Sequence, residues 1–566
     1  MTEVPRAAAI EVDSLGFTYA GREQAALCDL SFRVEPGEWI VLAGATGSGK
    51  STLLRALAGL IPHHSHGQMA GHVRLFGRDT RDASLNSLAS TVGLLLQSPD
   101  DQLTSTQVAI EVAFGLVNLG VSTSEIATRI DAALAAAGLS ELADRAVAEL
   151  SGGQKQRLML ASLLAMRPRL LLLDEPLSQL DPAAADELLA ILDQLRAAGL
   201  SIVAVEHRLD EMLARADRVL MLREGRLVGE ASVGEPELAA LFDRGGVRLP
   251  DLPRLMTVLG ESPTARVEAA VSQLSDRRPP QPSRLAAPAI HDNREQHDPP
   301  VVLRTRQLGF AYTRRGPRVL CDVNFDLRAG ERTALVGPNG SGKSTLLALL
   351  AGLRRPSSGA IDYDDADSAA GQSARGQVRD SSVCRPGLVL QNPDLMLFTG
   401  SVRDEIAFAP RDRGLATSAI DDTVARLAEQ IGLTHELDAA PLALSQGQRL
   451  RVAVAATLAI DSPVLLLDEP TMGQDADHVD RLFAALPDGQ TVLFTTHDVR
   501  ALARHAERVL VLVDGTLIGD CTPGQLLADD ELVERGRLRL PPLQEFRRQL
   551  GLAALTVEGL ARELES

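Results

Sequence analysis

Three unbroken apolar runs mark the first half of the chain, at residues 40–43, 170–173 and 202–205. A strand with one face in water alternates apolar and polar side chains. Continuous runs therefore predict strands buried on both faces, the pattern of parallel sheets. Short β-rich segments precede the first run, and residues 103–145 are rich in Ala and Leu at helical spacing. The pattern predicts an α/β domain with an inserted helical subdomain. The run at 170–173 is stopped by Asp174, and no stretch of about eighteen uncharged apolar residues occurs, so no segment is expected to span a bilayer. No N-terminal segment combines a basic start with an apolar core.

The pattern is written twice. Tyr19 and Tyr312, Cys28 and Cys321, and Lys50 and Lys343 are each separated by 293 positions. Gln97 and Gln391, and Asp174 and Asp468, are separated by 294, and His207 and His497 by 290. Six landmarks in one order at nearly constant offset define a tandem repeat. It continues into Arg248-Leu249-Pro250, which recurs as Arg539-Leu540-Pro541, each followed by a helical pattern. The expected organisation is a domain over 8–245 with a helical tail over 246–274, then a Pro-rich linker over 275–300. A second domain over 301–536 with a tail over 537–566 completes it. The Asp-, Ser- and Gly-rich segment 362–386 reads as a surface loop.

Composition narrows the function classes. The formal net charge of −18 argues against nucleic-acid binding, which needs clustered cations on phosphates. Cys28, Cys321, Cys384 and Cys521 form no CxxC pair and read as reduced thiols. The cations are almost all Arg. The three lysines are Lys50, Lys155 and Lys343, and two of them fall in the loops described next.

Gly44-Ala45-Thr46-Gly47-Ser48-Gly49-Lys50-Ser51 and Gly337-Pro338-Asn339-Gly340-Ser341-Gly342-Lys343-Ser344 are GxxxxGK[ST] loops. Each follows an apolar run and opens an apolar helix, from Thr52 and from Thr345. In that context the glycines let the backbone curl so that its N–H groups face phosphates at a helix N-terminus. Lys50 and Lys343 suit the β/γ oxygens of ATP, and Ser51 and Ser344 suit Mg²⁺. The two apolar runs ending in Asp174-Glu175 and Asp468-Glu469 place one carboxylate for Mg²⁺ and the next as a general base on an attacking water.

Leu150-Ser151-Gly152-Gly153-Gln154 stands 23 positions before Asp174, counting from Ser151. With the other motifs it resembles the signature of the ATP-binding-cassette family, over essentially the whole chain except the linker and the Asp-rich loop. The resemblance implies tandem P-loop ATPase domains, each with a RecA-like core, an antiparallel β subdomain and a helical insert. It also implies that two cassettes close head to tail within this one chain, so that each ATP lies between one phosphate loop and the other signature. Gln97 and Gln391 are similar to the family's Q-loop glutamine, which also approaches the metal. His207 and His497 resemble its switch histidine. Tyr19 and Tyr312 resemble the aromatic that stacks on adenine, and a buried tyrosine at a strand end is the alternative reading. The second signature reads Leu444-Ser445-Gln446-Gly447-Gln448, with Gln in place of the first Gly. Its acidic turn after Glu469 also departs from the first copy, and the two sites are expected to be unequal.

Gln97-Ser98-Pro99-Asp100-Asp101-Gln102-Leu103, then Glu111-Val112-Ala113-Phe114-Gly115, resembles the ATPases of energy-coupling-factor importers. Gln391-Asn392-Pro393-Asp394 and Glu405-Ile406-Ala407-Phe408 echo it. That resemblance implies a peripheral subunit on the cytoplasmic face of the membrane. Its partners would be an integral scaffold (T-type) subunit and a substrate-binding membrane subunit on other chains. Asp100, Asp101 and Asp394 would line the groove that accepts a basic coupling helix. The alternative class is a soluble twin-cassette ATPase acting on ribosomes or nucleic acid, and a fused sugar importer shares the gross layout.

Overall fold

The computed structural model describes residues 7–97, 102–177, 180, 182–206, 209–274, 299–313, 316–363, 385–472, 474 and 476–565. The chain divides into two units, one formed by residues 1–282 with 541–566 and the other by 283–540. In the first unit the strands are β1 (Ile10–Tyr19), β2 (Leu27–Val34), β3 (Trp39–Ala43), β4 (Gly67–Leu75), β5 (Arg78–Asp79), β6 (Val92–Leu95), β7 (Leu170–Asp174), β8 (Ser201–Val205), β9 (Arg218–Arg223) and β10 (Arg226–Ser232). The three apolar runs are β3, β7 and β8, at the centre of a six-stranded sheet ordered β10-β9-β3-β8-β7-β6. It is parallel except for β10. A smaller antiparallel sheet, β2-β1-β4-β5, lies beside it in sequence.

Alternate residues of β7 explain the unbroken apolar run. Leu171 and Leu173 pack into one core with Leu188, Leu189 and Leu192 of the helix Pro182–Ala197. Leu170 and Leu172 pack into another with Leu53, Leu54 and Leu57 of the helix Lys50–Leu57. Both faces are covered, so neither can carry polar side chains, and each buried Leu contributes roughly 1.5–3 kcal/mol. The helices Val108–Asn118, Thr123–Ala136 and Gly152–Ala165 close around a separate core that includes Val112, Leu116, Leu134 and Leu158.

The second unit repeats the plan with β11 (Val301–Phe310), β12 (Leu320–Arg328), β13 (Arg332–Val336), β14 (Ser358–Tyr363), β15 (Gly387–Val389), β16 (Val464–Leu467), β17 (Thr491–Thr495), β18 (Arg508–Val513) and β19 (Thr516–Cys521). Its large sheet is ordered β15-β16-β17-β13-β18-β19, strand for strand the order of the first. Even a small fastening recurs. Gly37 N–H donates to Ser201 Oγ at 2.9 Å, and Gly330 N–H to Thr491 Oγ1 at 3.0 Å.

The end of the chain belongs to the first unit. Helices Asp251–Val258 and Val267–Leu274 share a core with Pro542–Leu550 and Val557–Glu565, built on Leu252, Leu255 and Met256 against Leu543, Phe546 and Leu560. Arg254 pairs with Glu558 across it. Among the described residues no helix is long and apolar enough to cross a membrane.

Phe546 is fully buried in this small core. Phe546→Ala should destabilise it by about 3–5 kcal/mol. Limited proteolysis at 25 °C should then remove residues beyond 541 well before either large sheet is cut. Equal resistance of parent and variant would count against a distinct tail core.

Candidate functional site

In both units the phosphate loop joins the central strand to a helix, β3 to Lys50–Leu57 and β13 to Lys343–Leu350. The turn out of the strand requires glycine. Gly44 has φ 153° and Gly337 φ 148°, and a Cβ at either would collide with a carbonyl oxygen, of Leu222 or of Leu512. The loops 44–52 and 337–345 thus wrap their lysines closely. Lys50 Nζ donates to the carbonyl oxygens of Gly44 (2.7 Å) and Ala45 (2.9 Å). Lys343 Nζ donates to those of Gly337 (2.7 Å) and Pro338 (3.1 Å). Among the described residues the buried hydroxyls of Ser48 and Ser341 in the same loops have no hydrogen-bond partner, which suits donors to an anion. Tyr19 OH lies 3.2 Å from Thr52 Oγ1 and Tyr312 OH lies 3.0 Å from Thr345 Oγ1, which brings both aromatics to the loop helices. Arg354 stands over the Tyr312 ring, 4.8 Å from its centre.

The acids arrive from the strand two places away. Asp174 ends β7 and Asp468 follows β16. Glu175 and Glu469 both take φ 50°, a left-handed conformation uncommon for a side chain of that size. The reversal sends consecutive carboxylates in different directions from one strand end. In the first unit Ser51 Oγ donates to Asp174 Oδ1 at 3.3 Å, and Gln97 Nε2 donates to Glu175 Oε2 at 2.6 Å. Burial pushes the Asp174 carboxyl above its ordinary pKa, and the Glu175 carboxylate adds to that push. The Ser51 hydroxyl and the Arg55 and Lys50 cations oppose it.

The second unit makes different connections. Thr495 Oγ1 donates to Asp468 Oδ1 at 2.8 Å. His497 Nε2 lies 3.1 Å from Asn339 Oδ1, 3.2 Å from Glu469 Oε1 and 3.3 Å from Lys343 Nζ, so loop, acid and histidine meet. Gln391 is exposed and its amide points to Met472 Sδ at 3.2 Å, whereas Gln97 points to an acid. His207, Asp100 and Asp101 lie outside the described residues, as do the linker from 275 to 298 and residues 364–384 of the Asp-rich loop.

Both signatures open helices through a reciprocal cap. Ser151 Oγ accepts from Gln154 N–H while Gln154 Oε1 accepts from Ser151 N–H. Ser445 and Gln448 do the same. The terminal Gln of the signature therefore has a local structural task, a capping box. Gln446 is exposed at the first helical position, which accepts a side chain without a clash.

Two buried carboxylates shape the segment after each Q-loop glutamine. Glu111 Oε2 accepts from the N–H groups of Thr104 (3.0 Å) and Ser105 (2.6 Å). Glu405 Oε2 accepts from those of Phe398 (3.2 Å) and Thr399 (2.9 Å), and from Thr399 Oγ1 (2.7 Å). Asp394, expected in a partner groove, is paired with Arg449 of the signature helix at 2.9 Å. Sequence reasoning missed Arg449 and Thr495. For Thr495 a signal existed in the repeat, since the matching position in the first copy is Val205.

Two loop–strand–acid sets on duplicated mixed sheets define a P-loop ATPase pair. The ABC transporter model matches residues 27–178 and 320–472, and the chain belongs to that family. A Methanosarcina acetivorans chain described as an ABC transporter ATP-binding protein is 36% identical, covering 98% of this chain and 91% of its own. A Bacillus subtilis chain, YkoD, described as an HMP/thiamine import ATP-binding protein, is 35% identical, covering 95% of this chain and 96% of its own. The chain is thus a fused ABC ATPase that binds and hydrolyses ATP as the ATP-binding part of a transporter.

Asp174 tests how far the acids are held against stability. A carboxyl whose folded pKa is raised binds its proton more tightly in the native state, so its ionised form destabilises the fold at neutral pH. Asp174→Asn should therefore raise the unfolding midpoint of the nucleotide-free chain at pH 7 by about 1–2 °C. The gain should vanish as pH falls below about 4, where the unfolded carboxyl is protonated as well. Calorimetry at both pH values reads it, and a lower midpoint at pH 7 would show that Asp174 is stabilising instead.

Proposed function

We propose that the chain is the energy-coupling ATPase of an energy-coupling-factor importer for a vitamin, metal ion or similar small solute. In this reading it works at the cytoplasmic face of the membrane, with an integral scaffold subunit and a substrate-binding membrane subunit on other chains. The observation that carries it is the pair of buried carboxylates, Glu111 and Glu405, which hold the segment after each Q-loop glutamine in one shape. Those residues belong to the stretches that resemble the importer ATPases. The import description of the Bacillus subtilis relative agrees with it.

The mechanism assigns each residue a task. Lys50 and Lys343 exchange their carbonyl partners for the β/γ oxygens of ATP, and the loop N–H groups bind the remaining phosphate charge. Glu175 and Glu469 orient the attacking water and take its proton. His497 steadies the γ-phosphate beside Glu469, and His207 takes the same part in the other copy. Ser151, Gly153, Ser445 and Gly447 donate to the γ-phosphate of an ATP held by the opposite cassette, in two head-to-tail sites within one chain. Mg²⁺ takes hard oxygen ligands and keeps phosphate and water oxygens, so it needs only one or two from protein. Ser51 and Asp174, already within 3.3 Å, fit that demand, with Ser344 and Asp468 in the second copy. When bound it would neutralise charge on the β- and γ-phosphates.

The sites should be unequal, because the one facing Ser445–Gln448 lacks the first signature glycine. Glu175→Gln and Glu469→Gln variants should therefore lose ATP turnover to different extents, by at least about threefold in kcat. Equal losses would argue for equivalent sites. The importer reading is tested by detergent pull-down with the membrane proteins encoded beside the gene. Binding that Asp100→Lys with Asp101→Lys abolishes is expected. Absence of binding, with turnover stimulated by ribosomes or DNA, would overturn it.

A further inference from the structure

β8 and β17 each stand between the strand that feeds the phosphate loop and the strand that delivers the acids. A side chain at their last position is therefore placed to reach the acids from the side. In the first unit that residue is Val205, and it acts through its backbone. The ladder runs on to pair Asp174 with Val205, and Glu175 N–H donates to the Val205 carbonyl at 2.8 Å. In the second unit β16 ends at Leu467, one residue before the aspartate. There the Thr495 hydroxyl takes over. It accepts from Glu469 N–H at 2.7 Å and donates to Asp468 Oδ1 at 2.8 Å. Thr495 is fully buried, so water cannot substitute for either bond.

We propose that Thr495 is a positioning residue for hydrolysis at the second phosphate loop, its hydroxyl fixing Asp468 and Glu469 together where the first unit relies on the backbone. The two bonds use the hydroxyl as donor and acceptor at once, so its proton is committed to Asp468 and its lone pair to Glu469 N–H. The Glu469 amide is thereby held in the left-handed turn that aims its carboxylate toward His497. Valine has the same shape without the hydroxyl. It would leave a buried N–H and a buried carboxylate oxygen short of a partner, while packing is kept. This inference rests on the reading of Asp468 and Glu469 as the working acids.

The test uses the full chain with Thr495→Val, Thr495→Ser and Glu469→Gln. Thr495→Val should lower kcat for ATP about tenfold, the size of one hydrogen bond to a charged group, with KM changed less than about twofold. Equilibrium binding of a fluorescent ATP analogue, with and without Mg²⁺, should likewise move less than about twofold, because the phosphate loop is untouched. Thr495→Ser should restore turnover, since serine keeps the hydroxyl. If Thr495→Val keeps parental kcat while Glu469→Gln loses it, the hydroxyl does not place the acids and the inference fails. If Glu469→Gln itself keeps full turnover, the reading of the acids fails first and takes the inference with it. A fall in analogue binding that matches the fall in kcat would also overturn it, by showing general damage to the nucleotide site.

Discussion

A lysine ammonium withdrawn from water against backbone carbonyls governs both units. Lys50 and Lys343 are buried, and each is held by two carbonyl oxygens of its own loop. Burying a cation is expensive unless dipoles or counter-charges surround it, and only a tightly curled loop brings the carbonyls close enough. That demand explains the glycines at the strand exit and the lead of the loop straight into a helix N-terminus. It also explains why the loop must leave the end of a central parallel strand. There the neighbouring strands release their own chain ends, so carboxylates can converge on the same point.

Duplication lets one scaffold carry two wirings of that point. Strand order, loop geometry, the turned-back glutamates and the reciprocal caps at the signatures recur in both units. Among the described residues, some of the bonds to the acids do not. Gln97 donates to Glu175 in the first unit, and the Thr495 hydroxyl donates to Asp468 in the second. Such differences keep a partner on the glutamate N–H, the Val205 carbonyl in one unit and the Thr495 hydroxyl in the other. Their consequence falls on geometry, where catalysis is sensitive to small displacements.

The layout was legible where a single requirement fixes residue type and spacing. Unbroken apolar runs announced β3, β7 and β8 because both faces of a parallel sheet are covered. The GxxxxGK[ST] loops and the Asp-Glu ends were legible because the chemistry of phosphate leaves few alternatives. Thr495 and Arg449 were not, since a Thr ending an apolar strand and an Arg on a helix are common and carry no spacing signature. Only comparison of the two copies, Val205 against Thr495, holds a hint. The partner of Asp394 was equally hidden, because an ion pair between residues 394 and 449 depends on tertiary placement. The acidic run at Asp100 and Asp101 could be read for charge but not for what it meets.

Connectivity adds a last constraint. Residues 283–540 form one unit, yet the chain on both sides of it belongs to the other. A segment tied at both ends loses most of its freedom to drift away, and the tail core of Phe546, Leu560 and Leu255 supplies the second tie. A single linker would hold the units at an effective concentration set by its length alone. The small apolar core at the end of the chain thus fastens the residues beyond 540 to the first unit, far in sequence from either phosphate loop.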